Sequence, residues 1–320
     1  MKMNGENLDC IGKNITVIGG GVIGASWAVV FLSAGLNVTI SDPADGIDEK
    51  VKQYVTSALS ELSIMGDGLY VSDTLIKKLR FEKNIARAVQ YADFIQENGP
   101  EKESFKVNLW SEVEKYAPSH TLFLSSSSGI TATKQSVSMS RPERLMVGHP
   151  FNPPHLMPLV EVVPGEVRDS GLVAQALSFY NALGKAAILI NKEIAGFVAN
   201  RLQAAIFKEC IYLVQKGIVK VDELDDIMTS SLGIRWATGG PFLSFHLGGG
   251  HDGFLHFLEH LAPEMAVLWE QQEQCDVSFD DETRTMLMRQ IDDTYGLHTV
   301  EQLEEKRNIK EISVLKSLRQ

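Results

Sequence analysis

Two groups of residues in this sequence have the types and spacing to do chemistry. The first is rich in glycine. Gly19-Gly20-Gly21-Val22-Ile23-Gly24 contains G-x-G-x-x-G, and Asp42 lies further on. In such a turn Gly19 permits the sharp reversal, Gly21 lets a pyrophosphate approach the backbone, and Gly24 lets the next helix pack on the preceding strand. The N–H groups of Val22 and Ile23, at a helix N-terminus, would face the anion. A carboxylate about 20 residues past the glycines accepts bonds from ribose hydroxyls, which suits Asp42. Asp42 would repel a 2′-phosphate, and Pro43-Ala44-Asp45 supply no arginine to bind one, so the expected cofactor is NAD. The second group is His149, Glu161, Ser128 and Asn200. Oxidising an alcohol with NAD needs a base for the hydroxyl proton, most often histidine. A carboxylate on the far ring nitrogen fixes the tautomer, and hydroxyl and amide groups hold the reacting oxygen. Spacing alone also admits a histidine with a purely structural place beside prolines.

These residues need a scaffold, and the patterning supplies one. Residues 15–18 are a short apolar run, which suits a buried parallel strand. A helix over 22–34, closed by Gly35, and a strand over 36–41 follow. Residues 44–90 read as helical, with apolar spacing at Val51, Val55, Leu59 and Leu62 and again at Leu75 and Leu79. Strands are expected at 92–96, 121–125, 145–149, 159–163 and 186–190, with a helix at 103–116. Ser125 to Ser128 and His149 then fall at strand ends, where ligands bind in open α/β sheets. The alternation predicts a Rossmann-type α/β fold, a doubly wound, mostly parallel sheet. After residue 190 the pattern turns helical: a long helix over 195–216 closed by Gly217, then one over 223–232 with Asp222 as N-cap, then helices and glycine-rich turns. The expected division is a cofactor domain over 1–190 and an all-helical domain over 191–320 for substrate and dimer contacts. The tail, 300–319, is charged and amphipathic.

Composition narrows the class. The chain has 320 residues, 44% hydrophobic, enough for a sizeable core, and a net charge of −11 without a basic block. Nucleic acid and anionic membrane surfaces are therefore poor partners. Cys10, Cys210 and Cys275 form no C-x-x-C and read as reduced thiols of a cytoplasmic protein. The N-terminus, MKMNGENLDCIGK, lacks an apolar signal core, and no run of about 18 apolar residues exists to span a membrane.

GHPFNPPHLMPLVEVVPG resembles the signature of the 3-hydroxyacyl-CoA dehydrogenase family. The resemblance extends through QENGPEKESFK, LSSSSGI, LGK, GFVANRL and GGPF, so it covers nearly the whole chain. It implies that His149 and Glu161 are the catalytic pair, that Ser128 and Asn200 contact substrate, and that Glu97, Lys102 and Asn152 lie near the cofactor. It also implies a homodimer, and a short helical domain leaves apolar faces to cover. The chain departs from acyl-CoA members at Ser126-Ser127-Ser128-Gly129, where they usually carry Asn-Thr-Ser-Ser. The segment FLSFHLGGGHDGFLHFLEHLAP, the length and the tail look most like members acting on carnitine, with relatives acting on gulonate close by. The expected substrate is a small 3-hydroxy acid, carnitine first, with gulonate and 3-hydroxyacyl-CoA as alternatives.

A quaternary ammonium cannot donate a hydrogen bond, so a carnitine site must recognise it by charge and π faces. Trp236, Phe242, Phe245, Phe254 and Phe257 are candidates, with Trp236 and Phe245 preferred; aromatic residues at this density also build cores. Arg235, Arg201 and the serine run compete for the substrate carboxylate. His256-Phe257-Leu258-Glu259-His260 matches H-x-x-E-H, a zinc-protease pattern, but a chain committed to a dinucleotide makes a histidine-rich helix the better reading, and no metal is expected. A binding protein without turnover is a further alternative, against which the complete set Ser128, His149, Glu161 and Asn200 stands.

Overall fold

The structure, a computed structural model, describes residues 12–64 and 73–318. Cys10 with most of the polar N-terminus, residues 65–72 of the expected helical stretch, and Arg319 lie outside the described residues. The chain divides into two compact units, one ending at Arg201 and one starting at Leu202.

The first unit runs β1 (Asn14–Ile18), α1 (Val22–Ser33), β2 (Asn37–Ser41), α2 (Ile47–Ile64), α3 (Asp73–Ile76), β3 (Leu79–Phe81), α4 (Ile85–Val89), β4 (Phe94–Glu97) and α5 (Glu103–Tyr116). It continues with β5 (Leu122–Ser125), α6 (Ala132–Gln135), β6 (Leu145–Pro150), β7 (Leu159–Pro164), α7 (Ser170–Ala182) and β8 (Ala186–Leu189). The strands form one sheet of order β3-β2-β1-β4-β5-β6-β7-β8. The strand order turns between β1 and β4, the place where such sheets bind ligands.

Successive residues of a strand face opposite sides, and each side has its own core. Phe94 of β4 stacks on Phe179 of α7 at 3.8 Å, and Phe31 and Trp27 of α1 extend that stack. Its neighbour Ile95 faces the other way, into a buried cluster with Trp110 and Val113 of α5, Phe123, Leu145, Val147, Val163 and Phe197.

Two features of the sheet were not anticipated: a strand in the stretch read as helical, and one antiparallel pair in a sheet that is mostly parallel as expected. β3 lies inside the stretch read as helical and pairs with β2 alone. A three-residue edge strand is too short to imprint a period of two on a sequence. The other difference is direction: β6 and β7 pair antiparallel, while every other neighbouring pair is parallel. A parallel return needs a crossover of a dozen or more residues, and the connector, 151–158, is too short for one. His149 is the penultimate residue of β6, and Glu161 lies opposite it within β7.

α8 (Ala199–Gln215) starts in the first unit and continues into the second. It begins later than the sequence suggests, because residues 195–198 form a turn in which Gly196 and Phe197 take positive φ, +75° and +49°. Beyond it come α9 (Val221–Ser230), α10 (Leu232–Thr238), α11 (Pro241–Gly248), α12 (Gly253–His260), α13 (Ala262–Glu273), α14 (Asp281–Tyr295) and α15 (Val300–Leu318). Among the described residues of this unit there is no strand. α9 starts at Val221 because Glu223 reaches back to accept the Lys220 N–H at 2.8 Å. Asp222, expected as the cap, stands instead in the first turn, where its charge suits the helix dipole.

Candidate active site

The glycine turn leaves β1 and enters α1. A Cβ on Gly24 would stand 1.9 Å from the Gly19 carbonyl oxygen, so only glycine allows the helix to fold back this closely. Gly19 takes φ +88°, and a Cβ there would meet the Asn98 carbonyl oxygen at 2.8 Å. Gly21 caps α1 without any side-chain bond, and the space on its Cβ side is open. The first N–H groups of the helix, those of Val22, Ile23 and Gly24, therefore point out of the helix end with no intrahelical partner. Asp42 stands at the end of β2. Its Oδ2 accepts the Gly20 N–H at 2.7 Å and its Oδ1 the Ala44 N–H at 2.9 Å. Each oxygen keeps a second lone pair for a hydroxyl. Bare backbone donors, a cradle that side chains would fill, and a carboxylate beside it fit a dinucleotide.

The residues expected near the cofactor differ in what they expose. Glu97 is fully buried; both its oxygens accept from Lys106 Nζ, at 2.7 and 2.8 Å, and Ser125 Oγ and the Gly99 N–H add two more bonds. Its carboxylate builds the turn after β4 and has no oxygen turned to solvent. Lys102 caps α5, and Asn152 is exposed in the connector after β6. Lys185 spans that connector from the far side, donating to the carbonyls of Pro154 and Met157. Burial pushes the Lys185 ammonium down to about 7.

His149 and Glu161 are directly opposed in the antiparallel pair. His149 Nδ1 lies 2.8 Å from Glu161 Oε2, and both side chains are buried. Glu161 Oε1 accepts the N–H groups of Val198 and Ala199, at 2.9 and 3.0 Å, and so caps α8. Burial pushes the Glu161 carboxyl up, but the bonds from His149, Ala199 and Val198 outweigh it, and the net shift is downward. An ionised carboxylate only accepts, so Nδ1 of His149 is the donor. The neutral ring then carries its lone pair on Nε2. Phe197, buried in the core, lies against the ring with centroids 5.5 Å apart, and Phe151 meets it edge-on at 6.0 Å. Holding Phe197 at positive φ costs on the order of 1–3 kcal/mol; its burial in the apolar cluster offsets this.

Ser128 is exposed after β5, and its carbonyl oxygen lies 3.5 Å from Asn200 Nδ2. The structure thus brings Ser128 together with Asn200, and His149 with Glu161. Glu101 holds the serine turn from beneath: its Oε1 accepts Ser127 Oγ–H and the Gly129 N–H. In the second unit, Phe245 stacks on Phe257 at 4.5 Å, Phe254 on Phe257 at 5.4 Å, and Phe242 meets Phe254 at 6.1 Å. Trp236 is partly exposed on α10 and, among the described residues, makes no ring contact with them. Arg201 reaches back to the Ala195 carbonyl at 3.5 Å. His256 and His260 share one face of α12 with rings 4.2 Å apart, and among the described residues no three of His, Cys, Asp or Glu gather as a metal site. No helix of the described residues is long and apolar enough to cross a membrane.

Sequence reading missed the Val198 and Ala199 N–H groups on Glu161, the Phe197 wall and the buried Lys106. The first two follow from where α8 begins, and Gly196 in GFVANR was the available signal. Lys106 had none, since a lysine on a helix is normally solvated.

Residues 14–194 match the NAD-binding domain of 3-hydroxyacyl-CoA dehydrogenases, and residues 196–273 match the C-terminal domain of the same enzymes. An L-carnitine dehydrogenase of Oceanobacillus iheyensis is 38% identical over 92% of this chain and 95% of its own. A 3-hydroxyacyl-CoA dehydrogenase of Gibberella moniliformis is 39% identical over 93% of this chain and 92% of its own. Among solved structures, an NAD+-dependent dismutase, 5-formyl-3-hydroxy-2-methylpyridine 4-carboxylic acid 5-dehydrogenase, superposes with a TM-score of 0.77 at 27% identity. It covers 97% of this chain and 99% of its own.

Proposed function

The chain belongs to the 3-hydroxyacyl-CoA dehydrogenase family, NAD-dependent oxidoreductases acting on CH–OH groups, and from that premise we propose that it oxidises the 3-hydroxyl of carnitine to 3-dehydrocarnitine. The observation that carries the chemistry is the His149–Glu161 pair, with Nδ1 committed to the carboxylate. His149 Nε2 takes the hydroxyl proton as general base. Glu161 holds the ring in that tautomer and stabilises the imidazolium that forms. Asn200 and Ser128 position the reacting oxygen. Phe197 and Phe151 shield the ring from water. NAD, when bound, supplies the hydride acceptor. The backbone donors of Val22, Ile23 and Gly24 would hold its pyrophosphate and Asp42 its ribose, with Glu97, Lys102 and Asn152 shaping the nicotinamide end.

The choice of carnitine is supported by relatives of that name in Oceanobacillus, Nocardiopsis and Streptomyces at 38–39% identity. Trp236 and Phe245 are the proposed wall for the trimethylammonium group. A 3-hydroxyacyl-CoA is the competing substrate, favoured by the Gibberella relative at equal identity. The working form is a homodimer whose contacts cover the apolar side chains of the second unit. It acts in the cytoplasm, where Cys210 and Cys275, both free, stay reduced. The deciding experiment is NADH production with carnitine, gulonate, 3-hydroxybutyrate and a 3-hydroxyacyl-CoA. Carnitine should give the highest kcat/KM; a higher value for an acyl-CoA would replace it.

A further inference from the structure

One hydroxyl group ties together the parts of the molecule that must hold cofactor and base in register. Ser126, half-buried just after β5, accepts the Trp27 indole N–H at 3.1 Å and the Gln96 amide N–H at 2.8 Å, and its own Oγ–H donates to Asn98 Oδ1 at 2.7 Å. The directions are forced. Asn98 Nδ2 is occupied as a donor to the carbonyls of Ile18 and Gln96, at 3.3 and 3.1 Å, so its oxygen must accept. Gln96 Oε1 accepts the buried Tyr180 O–H at 2.7 Å, so its nitrogen must donate.

The three arms reach three different places. Asn98 lies against the start of the glycine turn: its backbone N–H donates to Ile18 O at 2.7 Å, and its carbonyl oxygen is the atom a Gly19 Cβ would strike. Trp27 is on α1, the helix that leaves the other side of that turn. The turn 19–21 is therefore suspended between two elements that both hang on Ser126 Oγ. The third arm runs through Gln96 and Tyr180 to β6. A Cβ on Gly148 would stand 1.9 Å from the Tyr180 hydroxyl oxygen, and Gly148 immediately precedes His149.

We propose that Ser126 is a positioning residue whose hydroxyl sets the phosphate-binding turn in place and fixes it relative to the strand carrying His149. Its ligand class is the pyrophosphate of the dinucleotide, and the inference rests on the NAD-dependent dehydrogenase reading. Ser126→Ala leaves the Trp27 indole N–H without its acceptor, leaves Gln96 Nε2 only the Gly148 carbonyl at 3.5 Å, and takes away the donor to Asn98 Oδ1. The turn then samples geometries that no longer aim its N–H groups together.

The test is NADH affinity by fluorescence titration, with the thermal midpoint of each cofactor-free variant measured alongside. Ser126→Ala should weaken NADH binding about tenfold, the scale of a lost hydrogen-bond anchor. Ser126→Thr, which keeps the hydroxyl, should stay within about twofold of wild type, and Trp27→Phe, which removes one arm, should weaken binding about threefold. Wild-type affinity in Ser126→Ala overturns the proposal. So does equal loss in Ser126→Ala and Ser126→Thr, which would mark a packing defect. If Ser126→Ala does not fold, wild-type affinity in Trp27→Phe, or a loss in Ser126→Thr as large as in Trp27→Phe, overturns the proposal. A wild-type protein that does not bind NADH would instead overturn the dehydrogenase reading itself.

Discussion

α1 and α13 are of the same length, twelve residues, and have opposite surroundings. In α1 the run Trp27, Ala28, Val29, Phe31 and Leu32 is completely buried between sheet and neighbouring helices. In α13 no residue is buried, and Val267, Leu268 and Trp269 stand more than half exposed, at 53, 56 and 57%. The contrast extends to the whole of each unit. The first closes two aromatic cores over its sheet, whereas the second leaves Phe242, Leu247 and Leu255 open as well. A unit built around a sheet completes its own core. A unit built of helices, with that much apolar surface, calls for a covering surface. The proposed chemistry, with the His149–Glu161 pair, resides in the self-sufficient part. Substrate preference and assembly are the proposed tasks of the other.

The sharpest way to break this division is His149→Ala. If the first unit carries the reaction, kcat should fall about 10²–10⁴-fold, the usual worth of a general base, while NADH affinity stays close to wild type. A near-normal kcat would remove His149 from the role. Next in size is the pair Leu268→Glu with Trp269→Glu. Charges placed on a dimer contact that buries both side chains should weaken association at least ~10²-fold, giving a monomer by light scattering at micromolar concentration with NADH binding retained. An unchanged mass for wild type and variant would place the contact elsewhere, and a monomeric wild type would end the dimer proposal.

Smaller effects sharpen the assignment of substrate. Trp236→Leu and Phe245→Leu should each raise KM for carnitine about 2–30-fold, the worth of a cation–π contact, and leave a neutral 3-hydroxy acid unaffected. Equal loss on both substrates would make these rings packing, a role the Phe245–Phe257 stack already favours for one of them. The smallest effect concerns stability. Glu161 has its pKa lowered on folding below the ordinary 4.5. The unfolded chain then binds the proton first, so this contribution is complete above pH 4.5 and disappears as pH falls through the lower native value. Urea midpoints of Glu161→Gln and wild type should differ at pH 7 and converge toward pH 3. A constant gap across that range would contradict the sign.

Legibility in the sequence followed the range of the interaction. The turn from Gly19 to Gly24 and the placing of Asp42 are local, so spacing alone disclosed them, and the strand–helix alternation disclosed the sheet. His149 and Glu161 could be named, but their face-to-face pairing depends on β7 running antiparallel. The connector length implies that direction only once both strands are known. The Val198 and Ala199 donors were missed because the apolar spacing carries on through 195–198, past the break that Gly196 marks, while the backbone there turns at Gly196 and Phe197. Ser126 looked interchangeable with its three serine neighbours. Nothing in a run of like residues says which one meets an indole, an amide and an asparagine.

Glu161 belongs to two structures at once, and that has a consequence for recombining this chain with its relatives. One carboxylate oxygen serves the histidine and the other serves the start of α8, so the proposed reaction centre includes the peptide groups of residues 198 and 199. A chimera joined at residue 190 would take those groups from a different parent than the strand they support. A chimera joined after Arg201, where the two units part, inherits all of them from one parent. On the proposed division of tasks, exchanging the second unit at that joint changes substrate preference and keeps His149, Glu161 and the Val198 and Ala199 donors together.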